Sequence, residues 1–154
     1  MKPVFVGLGA NIGDAAKTLR TAVEILESLD VLHNIRCSSF RTTQPVGDVA
    51  QPNYVNAALI GESHWHPECI LSLLHTIEAQ LGRNRAQEVR WGPRPIDMDL
   101  LMVGNIILNS PSIQLPHPEM TQRQFVLEPL AELAPNAIHP TSGKTIGKLL
   151  EDVQ

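Results

Sequence analysis

A chain of 154 residues, 43% hydrophobic and 18% charged, has the size and make-up of one globular domain with a proper core. Its net charge of −4 offers no general basic field to nucleic acid or an anionic membrane, so any anion site has to be local. Cys37 and Cys69 form neither a metal-type spacing nor a disulfide framework, and no signal-peptide core or membrane-length apolar run is present; a cytoplasmic monomer is expected.

In chain order, Val4–Leu8 reads as a buried strand and Gly9–Gly13 as a glycine-rich turn. Asp14 caps a helix whose apolar positions Leu19, Ala22, Val23, Leu26 and Leu29 recur at helical spacing. The glycines at 7, 9 and 13 resemble a dinucleotide fingerprint. That reading carries little weight, because a strand–turn–helix needs glycines anyway and no repeating parallel βαβ pattern follows. Ile35–Phe40 is expected as a second strand, followed by a long loop, TTQPVGDVAQPN. Tyr54–Ile60 is a third, in which alternation sends Val55, Ala57 and Leu59 to the core and Tyr54 and Asn56 to the other face. An aromatic beside an amide suits a flat heteroaromatic ligand, although for these two residues alone a half-buried Tyr next to a satisfied Asn is the more ordinary reading. Pro67 opens a second helix with an apolar stripe of Ile70, Leu71, Leu74, Ile77 and Leu81, and Gly82 ends it.

The stretch RNRAQEVRWGPRPIDMDLLMV, Arg83 to Val103, is the chemical centre of the sequence. Arg83, Arg85, Arg90 and Arg94 are four of the chain's 12 basic residues, and no other Lys or Arg lies between Arg41 and Arg123. The strand that follows puts Asp97 and Asp99 on one face, with Cα atoms roughly 7 Å apart. Two carboxylates facing one way call for a cation. Mg²⁺ takes oxygen ligands and is often held by one or two carboxylates together with substrate phosphates. Arginine forks, in turn, match phosphate oxygens. Any one of these residues alone reads as solvated surface; together they point to phosphate-plus-metal chemistry. Gly82 to Pro93, poor in large apolar groups, is expected to be a mobile lid.

Gly104-Asn105 is expected to turn the chain back into a strand over Ile106–Leu108. Ser110–Pro118, with three prolines, is loop and carries His117. Phe125 precedes a short apolar helix, Val126–Leu133, and is one of few candidates to pair with Tyr54 in a chain that is 4% aromatic. SGKT at Ser142–Thr145 lacks the preceding strand and the earlier glycine of a phosphate-binding loop, Ile138 standing there instead; Thr145 caps a last helix with Ile146, Leu149, Leu150 and Val153 on one face. The element order fits an α+β fold, one mainly antiparallel sheet covered by helices.

RWGPRPIDMDLL resembles the signature of the 6-hydroxymethyl-7,8-dihydropterin pyrophosphokinase family, which moves a pyrophosphate from ATP to a pterin alcohol in folate biosynthesis. The resemblance continues at TQPVG (Thr43–Gly47), QPNYVNA (Gln51–Ala57), IEAQLGRNR (Ile77–Arg85) and PHPEMTQRQFVLEPL (Pro116–Leu130), and so covers nearly the whole chain. It implies a ferredoxin-like sandwich and two Mg²⁺ ions bridged by Asp97 and Asp99, with ATP as co-substrate. It places Arg83 and Arg94 at charge stabilisation during transfer. Glu78, Arg85, Arg90, Trp91, His117 and Arg123 go to ATP, with Trp91 on the adenosine side. Thr43, Pro45, Val46, Tyr54, Asn56 and Phe125 go to the pterin, with Tyr54 and Phe125 as two plates of a sandwich. His75 and Ser112 stand where relatives carry an amide and, in some, a basic residue. Two rival readings are an RNA-binding sheet, opposed by the acidic charge, and a metal-dependent phosphodiesterase, which would also use paired aspartates and arginines.

Overall fold

A computed structural model describes residues 1–154. The chain runs β1 (Lys2–Ala10), α1 (Ala15–Ser28), β2 (His33–Cys37), β3 (Arg41–Thr43), β4 (Tyr54–Ser63), α2 (Pro67–Gln80), β5 (Asp97–Val103), β6 (Leu108–Asn109), β7 (Gln114–Leu115), α3 (Gln124–Leu133) and α4 (Ile146–Val153). No helix is long and apolar enough to cross a membrane.

The sheet is ordered β2-β4-β1-β5, with β3 also paired to β4, and every ladder in it is antiparallel. With α1 and α2 as its crossovers this is the expected ferredoxin-like α+β sandwich. Both helices form where the sequence patterning puts them. The Asp14 carboxylate accepts from Lys17 N at 3.1 Å and closes the first turn of α1. Leu19, Ala22, Val23 and Leu26 line the buried face of α1; Leu29, expected on that stripe, is the C-cap and is 37% exposed. Proline opens α2, and Ile70, Leu74 and Ile77 are buried under it. The two helices pack on Val4, Val6 and Leu8 of β1, Ala57 and Leu59 of β4, and Met98 and Leu100 of β5.

The opposite face of the sheet has a core of its own. Phe5, Ala58, Ile60, Leu101 and Met102 meet Met120, Val126, Leu127 and Leu130 and, from α4, Ile146 and Leu149. A bulge opposite Phe5 and Val6 makes Leu101 an extra residue and so turns both Leu101 and Met102 to this side. The sandwich is therefore three layers thick at one end. Helices α3 and α4 cover only part of this face, and the remainder forms the cavity described below.

Two expectations change. The strand foreseen over Ile35–Phe40 is β2, which starts earlier and ends at Cys37. Ser38–Phe40 lie outside any strand, although Ser38 N still donates to Ala58 O at 2.9 Å, and an unforeseen strand, β3, follows and runs into the stretch expected as loop. Residues Ile106–Leu108 do not return along β5. The turn at Gly104-Asn105 exists, with Ile106 N bonded to Val103 O at 3.0 Å, but the chain then leaves; Leu108 pairs with Leu115 in a separate two-stranded sheet. The reason lies at the edge of β5, where the proline loop is already seated: His117 N donates to Leu101 O at 2.8 Å.

Candidate functional site

Strand register assembles the site. Gly9 stands between Asn56 on β4 and Asp97 on β5; Gly7 stands between Ala58 and Asp99. Tyr54, Asn56, Asp97 and Asp99 thus share one face, and two glycines without side chains separate the pairs. A Cβ on Gly9 would lie 3.0 Å from Asn56 Oδ1. The glycines at 7 and 9 serve this purpose, an open floor, and not a nucleotide fingerprint. Above it lies a cavity of about 150 Å³ walled by Thr43, Val46, Tyr54 and Asn56 on one side, by Asp97 and Asp99 on another, and by Trp91, Arg94, Arg123 and Phe125.

Polar contacts fix the wall that would face a flat ligand. Asn56 Nδ2 donates to Thr43 Oγ1, so the amide orientation is set by its neighbour on β3. The Tyr54 hydroxyl donates to Gly92 O at 2.9 Å, which holds its ring upright against the arginine loop. Arg123 places its guanidinium 5.8 Å from the Phe125 ring centroid and pairs with Glu119.

Beneath the carboxylates runs a chain of charges. Glu78 on α2 is 1% exposed and uses both oxygens: Oε2 accepts from Arg83 Nη1 and from Met98 N (2.9 Å), Oε1 from Arg85 Nη2 (2.8 Å). Arg83, 6% exposed, also reaches Asp97 Oδ1 at 2.8 Å and forks onto Glu88 at 2.6 and 3.1 Å. Burial works against its charge, but Glu88, Asp97 and Glu78 outweigh that and raise its pKa. Asp99 has no such partner. Burial first, and the neighbouring Asp97 second, push its carboxyl up to about 7.

Ten expected site residues meet at the cavity: Thr43, Val46, Tyr54, Asn56, Trp91, Arg94, Asp97, Asp99, Arg123 and Phe125. Trp91, expected on the adenosine side, lines the same cavity as Tyr54 and packs its Cβ close to Gly47, whose φ of +93° only glycine takes without strain. Pro45, Glu78, Arg83, Arg85, Arg90 and His117 do not line it. Glu78, expected at ATP, is a buried brace for Arg83 and Arg85. Arg83, expected at the reacting phosphate, touches the cavity only through Asp97. Arg85 lies half out in solvent, and Arg90 stacks on Trp91 at 5.3 Å. His117 is depressed by burial, then by Arg123, and its Nδ1 accepts from Glu119 N at 3.2 Å.

Sequence reading passed over three polar residues that hold the cavity's loops together. Asn11, 2% exposed, donates its backbone N–H to Arg94 O at 3.1 Å, accepts from Arg94 N at 2.9 Å through Oδ1, and donates through Nδ2 to Gln51 Oε1 (2.8 Å) and Pro52 O (2.9 Å). Gln51 passes the link on, donating to Trp91 O at 2.6 Å. Glu88 joins Arg83 to Arg94. An Asn in a glycine turn or a Gln before a proline carries no signal of this; only the three-dimensional meeting of loops shows it.

Residues 5–135 match the family described as 7,8-dihydro-6-hydroxymethylpterin-pyrophosphokinase (HPPK). A Synechocystis protein named 2-amino-4-hydroxy-6-hydroxymethyldihydropteridine pyrophosphokinase is 40% identical over 148 residues, which cover 96% of this chain and 74% of that one. A Haemophilus influenzae protein of the same name is 35% identical over 142 residues, 92% and 88% of the two chains. Among solved structures, a Plasmodium falciparum HPPK-DHPS superposes on 98% of this chain with a TM-score of 0.76 at 16% identity, a likeness of fold. This chain spans 45% of that longer one.

Proposed function

The chain belongs to the 7,8-dihydro-6-hydroxymethylpterin-pyrophosphokinase family, and on that premise we infer that it is a pyrophosphokinase of folate biosynthesis, moving a diphosphate from ATP to the hydroxyl of 6-hydroxymethyl-7,8-dihydropterin and releasing AMP. The observation that carries this reading is a single cavity that sets an aromatic and amide wall beside a pair of carboxylates, with arginines at its rim.

The carboxylate pair fits Mg²⁺. Asp99 is half-buried, has no hydrogen-bond donor, and its carboxyl is raised first by burial and then by Asp97, so the pair is short of a positive charge even with Arg83 on Asp97. No third His, Cys, Asp or Glu joins them, as suits an ion that takes its remaining oxygens from phosphate and water. Bound there, Mg²⁺ would supply charge neutralisation at the entering and leaving oxygens of an in-line displacement, in two copies on the family's pattern.

The rest falls to the chain. Tyr54 and Phe125 face the pterin rings, while Asn56 and Thr43, locked to each other, read the edge. Arg83 holds Asp97 in place from below. Arg94 and Arg123 stand at the cavity where phosphate charge develops, while Arg85 and Arg90, outside its lining, would reach a phosphate only from the neighbouring loop. His117 is neutral near pH 7, and with Nδ1 accepting from Glu119 its proton sits on Nε2, a donor for a phosphate oxygen. Replacing Asp97 or Asp99 by Asn keeps shape and removes charge. Each change lowers AMP formation by roughly three orders of magnitude or more on this account; turnover within about tenfold of the parent in both variants would refute the assignment.

A further inference from the structure

Glu88 sits just past the 3₁₀ turn of Arg85–Gln87, in a stretch where every residue from Asn84 to Gln87 and from Val89 to Trp91 is exposed. Its own side chain is the exception, only 14% exposed. Oε2 accepts from Arg83 Nε at 2.6 Å and Oε1 from Arg83 Nη2 at 3.1 Å, the two-pronged geometry in which a guanidinium takes a phosphate as readily as a carboxylate. Oε1 also lies 3.5 Å from Arg94 Nε. A loop carboxylate therefore fills two donors of Arg83 beneath the cavity and sits as counter-charge beside Arg94 at its wall.

Charge makes this occupancy consequential. Arg83, Arg85 and Arg94 face Glu78, Glu88 and Asp97, so the cluster is neutral as it stands. A neutral cluster has little to offer a triphosphate. Glu78 is fixed by the buried Met98 amide, and Asp97 is held by its strand. Only Glu88 rides on an exposed loop. We propose that Glu88 is an internal stand-in for substrate phosphate: it pins the arginine loop when no nucleotide is bound, and swings away as the triphosphate takes over the two Arg83 donors it occupies and its place beside Arg94. This rests on the reading that the arginine loop receives ATP. The apparent affinity for ATP is then lowered in proportion to the small fraction of molecules in which Glu88 is already off.

Calorimetry at fixed ionic strength, with Mg²⁺ and α,β-methylene-ATP, whose bridging carbon replaces the oxygen at the bond to be cleaved, tests the idea. Glu88→Gln should bind the analogue about three- to tenfold tighter than the parent, with Glu88→Asp between them. Binding of hydroxymethylpterin by the same variants reports that the cavity is folded. Glu88→Gln that binds pterin but takes the analogue no more tightly than the parent overturns the inference. If the parent itself fails to bind the analogue, the triphosphate reading of the loop falls instead. In the unaltered protein, the Arg83 Nε–H resonance should shift on saturation with the analogue as its short bond to Glu88 is exchanged, and this decides the matter if Glu88→Gln loses pterin binding. A resonance that stays put overturns the proposal.

Discussion

Asp99 is costly to the ligand-free protein, and on the proposed reading a bound Mg²⁺ would relieve that cost. Burial and Asp97 raise its carboxyl from 3.8 to about 7. An acid whose folded pKa lies above its unfolded value holds its proton more tightly when folded. Its contribution is harmless below the unfolded value, turns unfavourable as pH rises from there towards about 7, and stays unfavourable above. Asp99→Asn removes that dependence. Thermal melts of the ligand-free protein should find the variant more stable than the parent at about pH 8, by on the order of 1 kcal/mol, and nearly matched at about pH 4.5. A variant less stable at the higher pH would contradict the picture of an uncompensated carboxylate. Phe125 lies at the other end of the same cavity. Stacking on an aromatic is worth roughly 1–3 kcal/mol in nucleic-acid systems, so Phe125→Ala should weaken pterin binding about tenfold or more and leave ATP-analogue binding nearly unchanged. Calorimetry that finds the nucleotide affinity falling instead would move Phe125 to the other subsite.

Among the elements, the loops set the behaviour of the site. From Asn84 to Gly92 only a few amides have partners, in the bonds Ala86 N to Asn84 Oδ1, Gln87 N to Asn84 O, Glu88 N to Arg85 O and Gly92 N to Val89 O. Amide exchange across Gly82–Trp91 is therefore expected to be fast in the free protein. It should slow markedly with ATP analogue, Mg²⁺ and pterin together, and less with pterin alone; protection already present without ligand would mean a preformed site. The segment is less free than its composition suggested, because Glu88 is tied to Arg83 within it and to Arg94 just beyond it, and Gln51 and Tyr54 hold Trp91 and Gly92 from outside. Such ties explain what could and could not be read in advance. Alternation put Tyr54 with Asn56 along Tyr54–Ile60 and Asp97 with Asp99 at the start of IDMDLLMV, because within a regular strand the pleat decides direction. That the two pairs share one face comes from the register of β4 and β5 on β1. Family resemblance supplied the expectation that Tyr54 and Phe125 share a pocket. The strand β3 and the departure of Ile106–Leu108 were not legible, since both depend on which strand edge is free, a property of the assembled sheet.

At the scale of the whole molecule, two cores divide the labour. The face under α1 and α2 is apolar along the lengths of β1, β4 and β5 and makes the sandwich rigid. The face under α3 and α4 is apolar only where Phe5, Ile60 and Met102 lie, and changes to Gly7, Gly9, Asn56 and the two aspartates where the helices stop. That change of composition along the same strands turns a structural layer into a site. The central claim is that pterin and nucleotide meet there for one transfer. The most direct measurement incubates the protein with ATP, Mg²⁺ and reduced hydroxymethylpterin and follows nucleotide and pterin products together. AMP should appear only when pterin is present, mole for mole with the pterin diphosphate. AMP formed without pterin, ADP as the nucleotide product, or no AMP with all three present would contradict it.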